Sequence, residues 1–172
     1  RNRHTQTVEA LMAKGAQLGS ASQLKEAVLR GQADVVELML QKGVDGKPYL
    51  HDAALKGHGR VAELLIKYGA EVNGLNRSGA TPLHDAALAG HQGVAEVLIA
   101  NGAKVEALDG ETGSTALHLA AGWGRLEVVK LLVERGANRS IKNNSGRTAL
   151  DLAKEARYEE ILKLLEPPPG SP

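Results

Sequence analysis

The chain has 172 residues with no cysteine and no phenylalanine, and only 2% of it is aromatic. A disulfide framework and an aromatic-rich core are both excluded, so the interior must be built from Leu, Val, Ile and Ala. With 21 Lys and Arg against 20 Asp and Glu, the net charge of +1 offers no field that would draw in nucleic acid or an anionic membrane.

No apolar run approaches the roughly 18 residues that would cross a bilayer, and the opening Arg1-Asn2-Arg3-His4 leads into no secretory apolar segment. The lack of cysteine is compatible with a reducing compartment. The expectation is a soluble, cytoplasmic chain, with the nucleus as the second compartment, that binds neither nucleic acid nor membrane.

An internal repeat organises the sequence, each copy predicting two short helices. Residues 7–15 carry half a copy, a second helix whose first is missing, as expected of a piece excised from a longer protein. Residues 24–43 form a pair broken at Gly31. Pro48-Tyr49-Leu50-His51-Asp52-Ala53-Ala54 opens the next copy, with a turn at Gly57-His58 and an apolar run from Val61 to Gly69. Thr81-Pro82-Leu83-His84-Asp85-Ala86-Ala87 then leads through Gly90-His91 into Val94 to Gly102. Thr115-Ala116-Leu117-His118-Leu119-Ala120-Ala121 leads into Leu126 to Gly136. The last copy opens with Thr148-Ala149-Leu150-Asp151-Leu152-Ala153, and the steps between motifs are 33 or 34 residues. Lys154, Glu155, Arg157, Glu159, Glu160 and Lys163 give it the polar outer surface that a terminal cap needs. Glu166-Pro167-Pro168-Pro169 stops the final helix, and the array is expected to end there. The three prolines read as a linker in preference to a polyproline ligand.

Thr81 and Thr115 stand where a helix N-cap belongs, and Pro82 falls at a first-turn position where proline is harmless. Ala86, Ala87, Ala120 and Ala121 are small enough for helices to stack closely, and Gly69, Gly102 and Gly136 suit left-handed helix ends. One copy cannot bury its own apolar face, so neighbours must stack. The pattern of T-P-L-H-x-A-A, then G-H, then V-x-x-L-L closed by G-A resembles the ankyrin repeat family. That resemblance implies an all-α repeat solenoid of helix-turn-helix units with β-hairpin fingers. Five repeats and an N-terminal half result, approximately 1–19 (partial), 20–45, 46–78, 79–112, 113–145 and 146–166. Together they make one domain over 1–166, with a Pro-rich tail at 167–172.

Finger length varies along the chain. Fourteen or fifteen residues separate Gly69 from Leu83, Gly102 from Leu117 and Gly136 from Leu150, but only nine separate Gly15 from Leu24 and seven separate Gly43 from Leu50. Fingers are therefore expected mainly in the C-terminal half, with no hairpin at 16–22 or 44–48.

Chemistry is hard to place in this sequence. The resemblance makes His51, His84 and His118 structural hydrogen-bonders within the Thr-x-Leu-His turn, and His58 and His91 structural at the Gly-His turn. His51 and His58 are separated by the turn at Gly57, so they do not converge on a metal. There is no phosphate-cradling G-x-x-x-x-G-K-[ST], no G-x-S-x-G and no cysteine nucleophile. Gly110-Glu111-Thr112-Gly113 reads as a finger turn. No enzyme, cofactor or metal is expected.

The resemblance instead implies an interaction scaffold holding another protein or peptide on its concave face, and nothing argues against a monomer. The residues before each turn glycine are expected to face that side. Leu29, Leu55 and Leu88 would form an apolar stripe flanked by Arg30 and Lys56. Counting about 100° per residue from Leu117, Ala120 and Ala121 fall near 300° and 40° while Trp123 falls near 240°, outside the core face. Its counterparts are taken as Lys56, Ala89 and Glu155, so the fold does not demand an indole there. Trp123 is therefore the expected principal contact, with Arg77, Glu111 and Arg147 of the fingers as a polar rim. Two other roles stand beside this one: a non-catalytic targeting or regulatory domain of a larger enzyme, and, through Leu65 to Asn73, a substrate of an asparaginyl hydroxylase at Asn73.

Overall fold

In a computed structural model the described residues are Gln6, Glu9, Ala10 and 20–171, so the half repeat expected over 1–19 falls outside the description except at those three positions. The described chain forms five helix pairs: α1 (Ala21–Leu29) and α2 (Ala33–Gln41), α3 (Leu50–Lys56) and α4 (Gly59–Lys67), α5 (Pro82–Ala89) and α6 (Gln92–Ala100), α7 (Ala116–Gly122) and α8 (Leu126–Glu134), α9 (Ala149–Ala156) and α10 (Glu159–Leu165). A single 3-10 turn, Lys47–Tyr49, precedes α3.

The helices start where the sequence supplies caps. Thr81, Thr115 and Thr148 each accept a hydrogen bond from the backbone three residues on, and the side chains of His84, His118 and Asp151 reach back to the cap backbone. Ser20 and Gln23 close the same box at α1. This reciprocal arrangement satisfies amides that the helix cannot pair internally. Pro48 breaks the pattern: with no Thr hydroxyl available, α3 begins without a side-chain cap and is entered through the 3-10 turn.

First helices α1, α3, α5, α7 and α9 stack in one layer, and second helices α2, α4, α6, α8 and α10 in another, each touching its own partner and the equivalent helix next door. The motif leucines Leu24, Leu50, Leu83 and Leu117 are at most 2% exposed, and Ala53, Ala54, Ala86, Ala87, Ala120 and Ala121 are fully buried between neighbouring helices. From the second layer come Val36, Leu65, Val94, Leu98, Val129 and Leu132. The core is an aliphatic slab running the length of the array, as the absence of Phe demands.

Adjacent pairs are also locked at their turns. Gly57 has a left-handed backbone, φ 78°, and a Cβ placed on it would lie 2.5 Å from the ring of His91 in the next repeat. That ring donates its Nε2–H to the carbonyl of Leu55 at 3.0 Å. His58 does the same to Leu29, and Arg125 replaces the imidazole at the next junction, donating Nε–H to Leu88 at 2.9 Å. Both histidines at the Gly-His turn are therefore structural. At the last junction the Tyr158 ring lies over Gly124. Arg157 takes the left-handed position itself, φ 60°. Counted from that position, Ala156 is the residue equivalent to Trp123, which corrects the pairing with Glu155.

The fingers occupy residues 70–80, 103–114 and 137–147, and no hairpin forms at 44–48. Their hairpin character is reduced: each turn closes on two backbone bonds, Asn76 N–H to Ala80 and Gly79 N–H to Asn76, Asp109 N–H to Ser114 and Gly113 N–H to Asp109, or Asn143 N–H to Arg147 and Gly146 N–H to Asn143, and the described residues contain no strand. Shape comes from the first residue of each turn. Asn76 Oδ1 accepts from the amides of Ser78 and Ala80, Asn143 Oδ1 from those of Ser145 and Arg147, and Asp109 from Glu111, Thr112 and Ser114. Burial alone would raise the Asp109 carboxyl, but the bonds from Thr112, Glu111 and Ser114 outweigh it and hold its pKa below the ordinary value.

Because Leu117 is 1% exposed at the centre of this slab, Leu117→Ala is expected to cost about 2–5 kcal/mol and to loosen the flanking repeats first. An unchanged thermal midpoint would contradict its burial.

Candidate protein-interaction surface

The residues singled out in the sequence lie at the ends of first helices and in the fingers, with differing exposure. Trp123, the C-cap of α7, is 59% exposed, and its indole N–H donates to no group among the described residues. Leu55 is 43% exposed, whereas Leu29 and Leu88 are half-buried. Arg30 pairs with Glu26 at 2.6 Å and Arg147 with Glu155 at 3.0 Å, which commits both guanidinium groups to neighbours. Lys56, Arg77 and Glu111 are exposed without an ion-pair partner among the described residues.

Leu88 lies in a cleft of ≈ 210 Å³ between the first and second fingers, with Leu119 on the helix layer and Asn76, Asp85, Asp109 and Glu111 around it. Asp85 was not singled out in the sequence. It is 7% exposed and accepts from His51 Nδ1–H at 2.6 Å, across the repeat boundary. The other ring nitrogen of His51 donates to the Gly74 carbonyl at 3.0 Å. His51 was expected to serve in a Thr-x-Leu-His turn, but Pro48 removes the hydroxyl and the imidazole bridges Asp85 of the next repeat and the intervening finger at Gly74 instead. His84 and His118 keep the expected role. The backbone N–H of Thr81 donates to Nδ1 of His84, whose Nε2–H reaches the Ser114 carbonyl; Thr115, His118 and Arg147 repeat the arrangement.

Burial by itself lowers the His51 pKa. The hydrogen bond and charge of Asp85, the Gly74 carbonyl and the nearby Asp52 outweigh it, so the net shift is upward. Both nitrogens face acceptors, and only the imidazolium can donate to both.

Asn73 donates to the Gly102 carbonyl at 3.0 Å and accepts from the Lys104 amide at 2.8 Å. Glu106 holds the Asn138 amide in the same way one repeat further on. Both polar atoms of the Asn73 amide thus join neighbouring loops. Two exposed finger residues escaped the sequence reading: Leu75, 67% exposed, and Leu108, 52% exposed. Their common position, 33 residues apart, was the available signal. Among the described residues, no group of three or more His, Cys, Asp or Glu could hold a metal ion, and no helix is long and apolar enough to cross a membrane.

Paired helices stacked in two layers with protruding loops define a helical repeat solenoid. The chain matches ankyrin repeats (three copies) over residues 24–109 and 106–168. It belongs to the ankyrin repeat family, whose repeats are generally modules of protein–protein interaction and typically non-catalytic. Among similar proteins, the NAD-capped RNA hydrolase NUDT12 of Homo sapiens is 49% identical over 55 residues, covering 32% of this chain and 12% of that protein. The E3 ubiquitin-protein ligase hecd-1 of Caenorhabditis elegans is 45% identical over 58 residues, 32% of this chain and 2% of the ligase. Rabankyrin-5 of Homo sapiens is 43% identical over 53 residues, 31% of this chain and 4% of that protein. The chain therefore spans a small part of the length of these relatives.

The upward shift of His51 fixes the sign of a pH effect. Stabilisation from the His51–Asp85 pair is present in full below the ordinary histidine value of 6.5, while Asp85 stays ionised, and is lost as the pH rises through the raised value. The difference in melting midpoint between wild type and His51→Gln is expected to be larger near about pH 6 than near about pH 9. Equal differences at both would show that the pair carries no charge-dependent stabilisation.

Proposed function

We propose that this array is a non-catalytic scaffold that holds a partner protein or peptide on its first-helix and finger face, with Trp123 as the principal contact. The observation that carries this reading is the 59% exposure of the chain's single Trp, at a position where Lys56, Ala89 and Ala156 serve the fold equally well. A large exposed indole is a costly solvent contact and an efficient anchor when covered. Leu29, Leu55 and Leu88 extend the apolar contact, and Arg30, Lys56, Arg77, Glu111 and Arg147 form its polar border, the free side chains of Lys56, Arg77 and Glu111 being the best placed to choose a partner by charge. The scaffold acts as a monomer in the cytoplasm or nucleus and takes no nucleic acid. The near-zero net charge supports the last point.

Similarity to segments of a hydrolase and a ubiquitin ligase supports a second form of the same reading, in which the array is a targeting or regulatory part of a larger enzyme. Modification of Asn73 is the weaker role, since its amide would first have to leave Gly102 and Lys104.

Trp123→Ala is expected to weaken partner binding by at least about 2 kcal/mol while moving the thermal midpoint little. Calorimetry of binding beside a thermal melt checks this; a lowered midpoint with affinity intact would assign the indole to packing.

A further inference from the structure

The fingers are joined to one another by a backbone ladder. Gly110 N–H, one residue beyond the turn-forming Asp109, donates to the Ser78 carbonyl of the preceding finger at 3.1 Å. Asn144 N–H, one residue beyond Asn143, donates to the Thr112 carbonyl at 2.8 Å. The corresponding donor in the first finger is Arg77 N–H, one residue beyond Asn76. All three fingers share the left-handed glycine near the end of the turn, at Gly79, Gly113 and Gly146, so Arg77 N–H points toward the place of a preceding finger. That finger does not exist, because the connector between Gly43 and Leu50 is too short to build one. Among the described residues Arg77 N–H has no hydrogen-bond partner.

A surface underlies the vacant place. A cleft of ≈ 320 Å³ lies there, lined by Lys47, Pro48, Glu71, Gly74 and Leu75 among others. Leu75 is the most exposed large apolar residue described, at 67%. The opposite end of the finger stack is different: Lys142 stands at the position that Leu75 and Leu108 occupy in the other fingers. Charge at an exposed edge discourages pairing, whereas an apolar edge with an open donor invites it. The side chains of Lys47 and Arg77 form no ion pair among the described residues, and Glu71 is the only acid lining this cleft.

We infer that this open edge of the finger stack binds an extended segment of a partner protein, which takes the place of the missing finger. A carbonyl of the segment accepts from Arg77 N–H, an apolar side chain covers Leu75, and a carboxylate beside it meets Lys47 and Arg77. This is strand-like addition to a backbone edge, with the main chain supplying affinity and the side chains supplying selectivity. The inference rests on the interaction reading of the array but uses a surface separate from Trp123.

The test takes a phage-displayed library of random dodecapeptides, selects binders on the whole chain, and measures their affinities for wild type, Leu75→Arg and Trp123→Ala by fluorescence polarisation. Leu75 is solvent-exposed, so Leu75→Arg is expected to keep the wild-type melting midpoint. The enriched set is expected to include peptides with an apolar residue next to Asp or Glu that lose about tenfold or more in affinity for Leu75→Arg and change less than about twofold for Trp123→Ala. Their binding is expected to slow hydrogen exchange at the Arg77 amide, a readout that does not depend on the variant. The inference is overturned if no enriched peptide responds to Leu75→Arg, or if Arg77 exchange stays unchanged in every complex. In that case, losses with Trp123→Ala alone would leave the first-helix reading standing, and insensitivity to both variants would remove it as well. A dimer of the chain that Leu75→Arg dissolves would give the edge to a second copy and would also overturn the inference.

Discussion

Everything in this molecule depends on contact between one repeat and the next. A single helix pair offers two short helices and a few Leu, Val and Ala side chains, too little to bury a core, and only stacking removes those surfaces from water. The turn contacts make the stacking directional. A ring or guanidinium from each following repeat lies against the left-handed residue of the one before and donates to the carbonyl just ahead of it, so His58, His91 and Arg125 set the register at three successive junctions. The fingers repeat the principle in backbone form, and the side chains of Asn73 and Glu106 repeat it at the loop bases.

That principle places the surface features. Where a repeat has its full complement of neighbours, many of its polar groups are spent on the junction: Asn73 on the next loop, His84 and His118 on the following finger. Two of the most exposed apolar groups appear where the repeat pattern is interrupted. Trp123 replaces residues that need no particular side chain. Leu75 and the Arg77 amide border the one place where a finger is lacking between two complete repeats. The principal contacts of the two binding readings, Trp123 and Leu75, lie at these interruptions.

Much of the fold was legible because its determinants are local and recurrent. Thr81 and Thr115 cap helices for reasons contained in four residues, and the 33-residue step places Leu83 and Leu117 in the core without knowledge of the partners. The short Gly43 to Leu50 connector also gave the missing finger directly, by length. Less was legible where the outcome depends on a contact across repeats. His51 was read like His84 and His118 although Pro48 stands in place of the capping Thr, and nothing local said that its imidazole would reach Asp85, 34 residues away. Leu29, Leu55 and Leu88 were expected to be exposed alike, but how far Leu29 and Leu88 sink depends on neighbouring helices. The fingers were expected as hairpins, and side-chain turns at Asn76, Asp109 and Asn143 do the work that strands would have done.

The most direct test of neighbour-dependent stability is residue-resolved amide hydrogen exchange on the free chain. Helices α3 to α8, with repeats on both sides, are expected to exchange most slowly, with protection falling through α9 and α10, and with Gly110 and Asn144 slower than Arg77 among the finger amides. Uniform protection across all ten described helices, with Arg77 as slow as Gly110, would contradict the account.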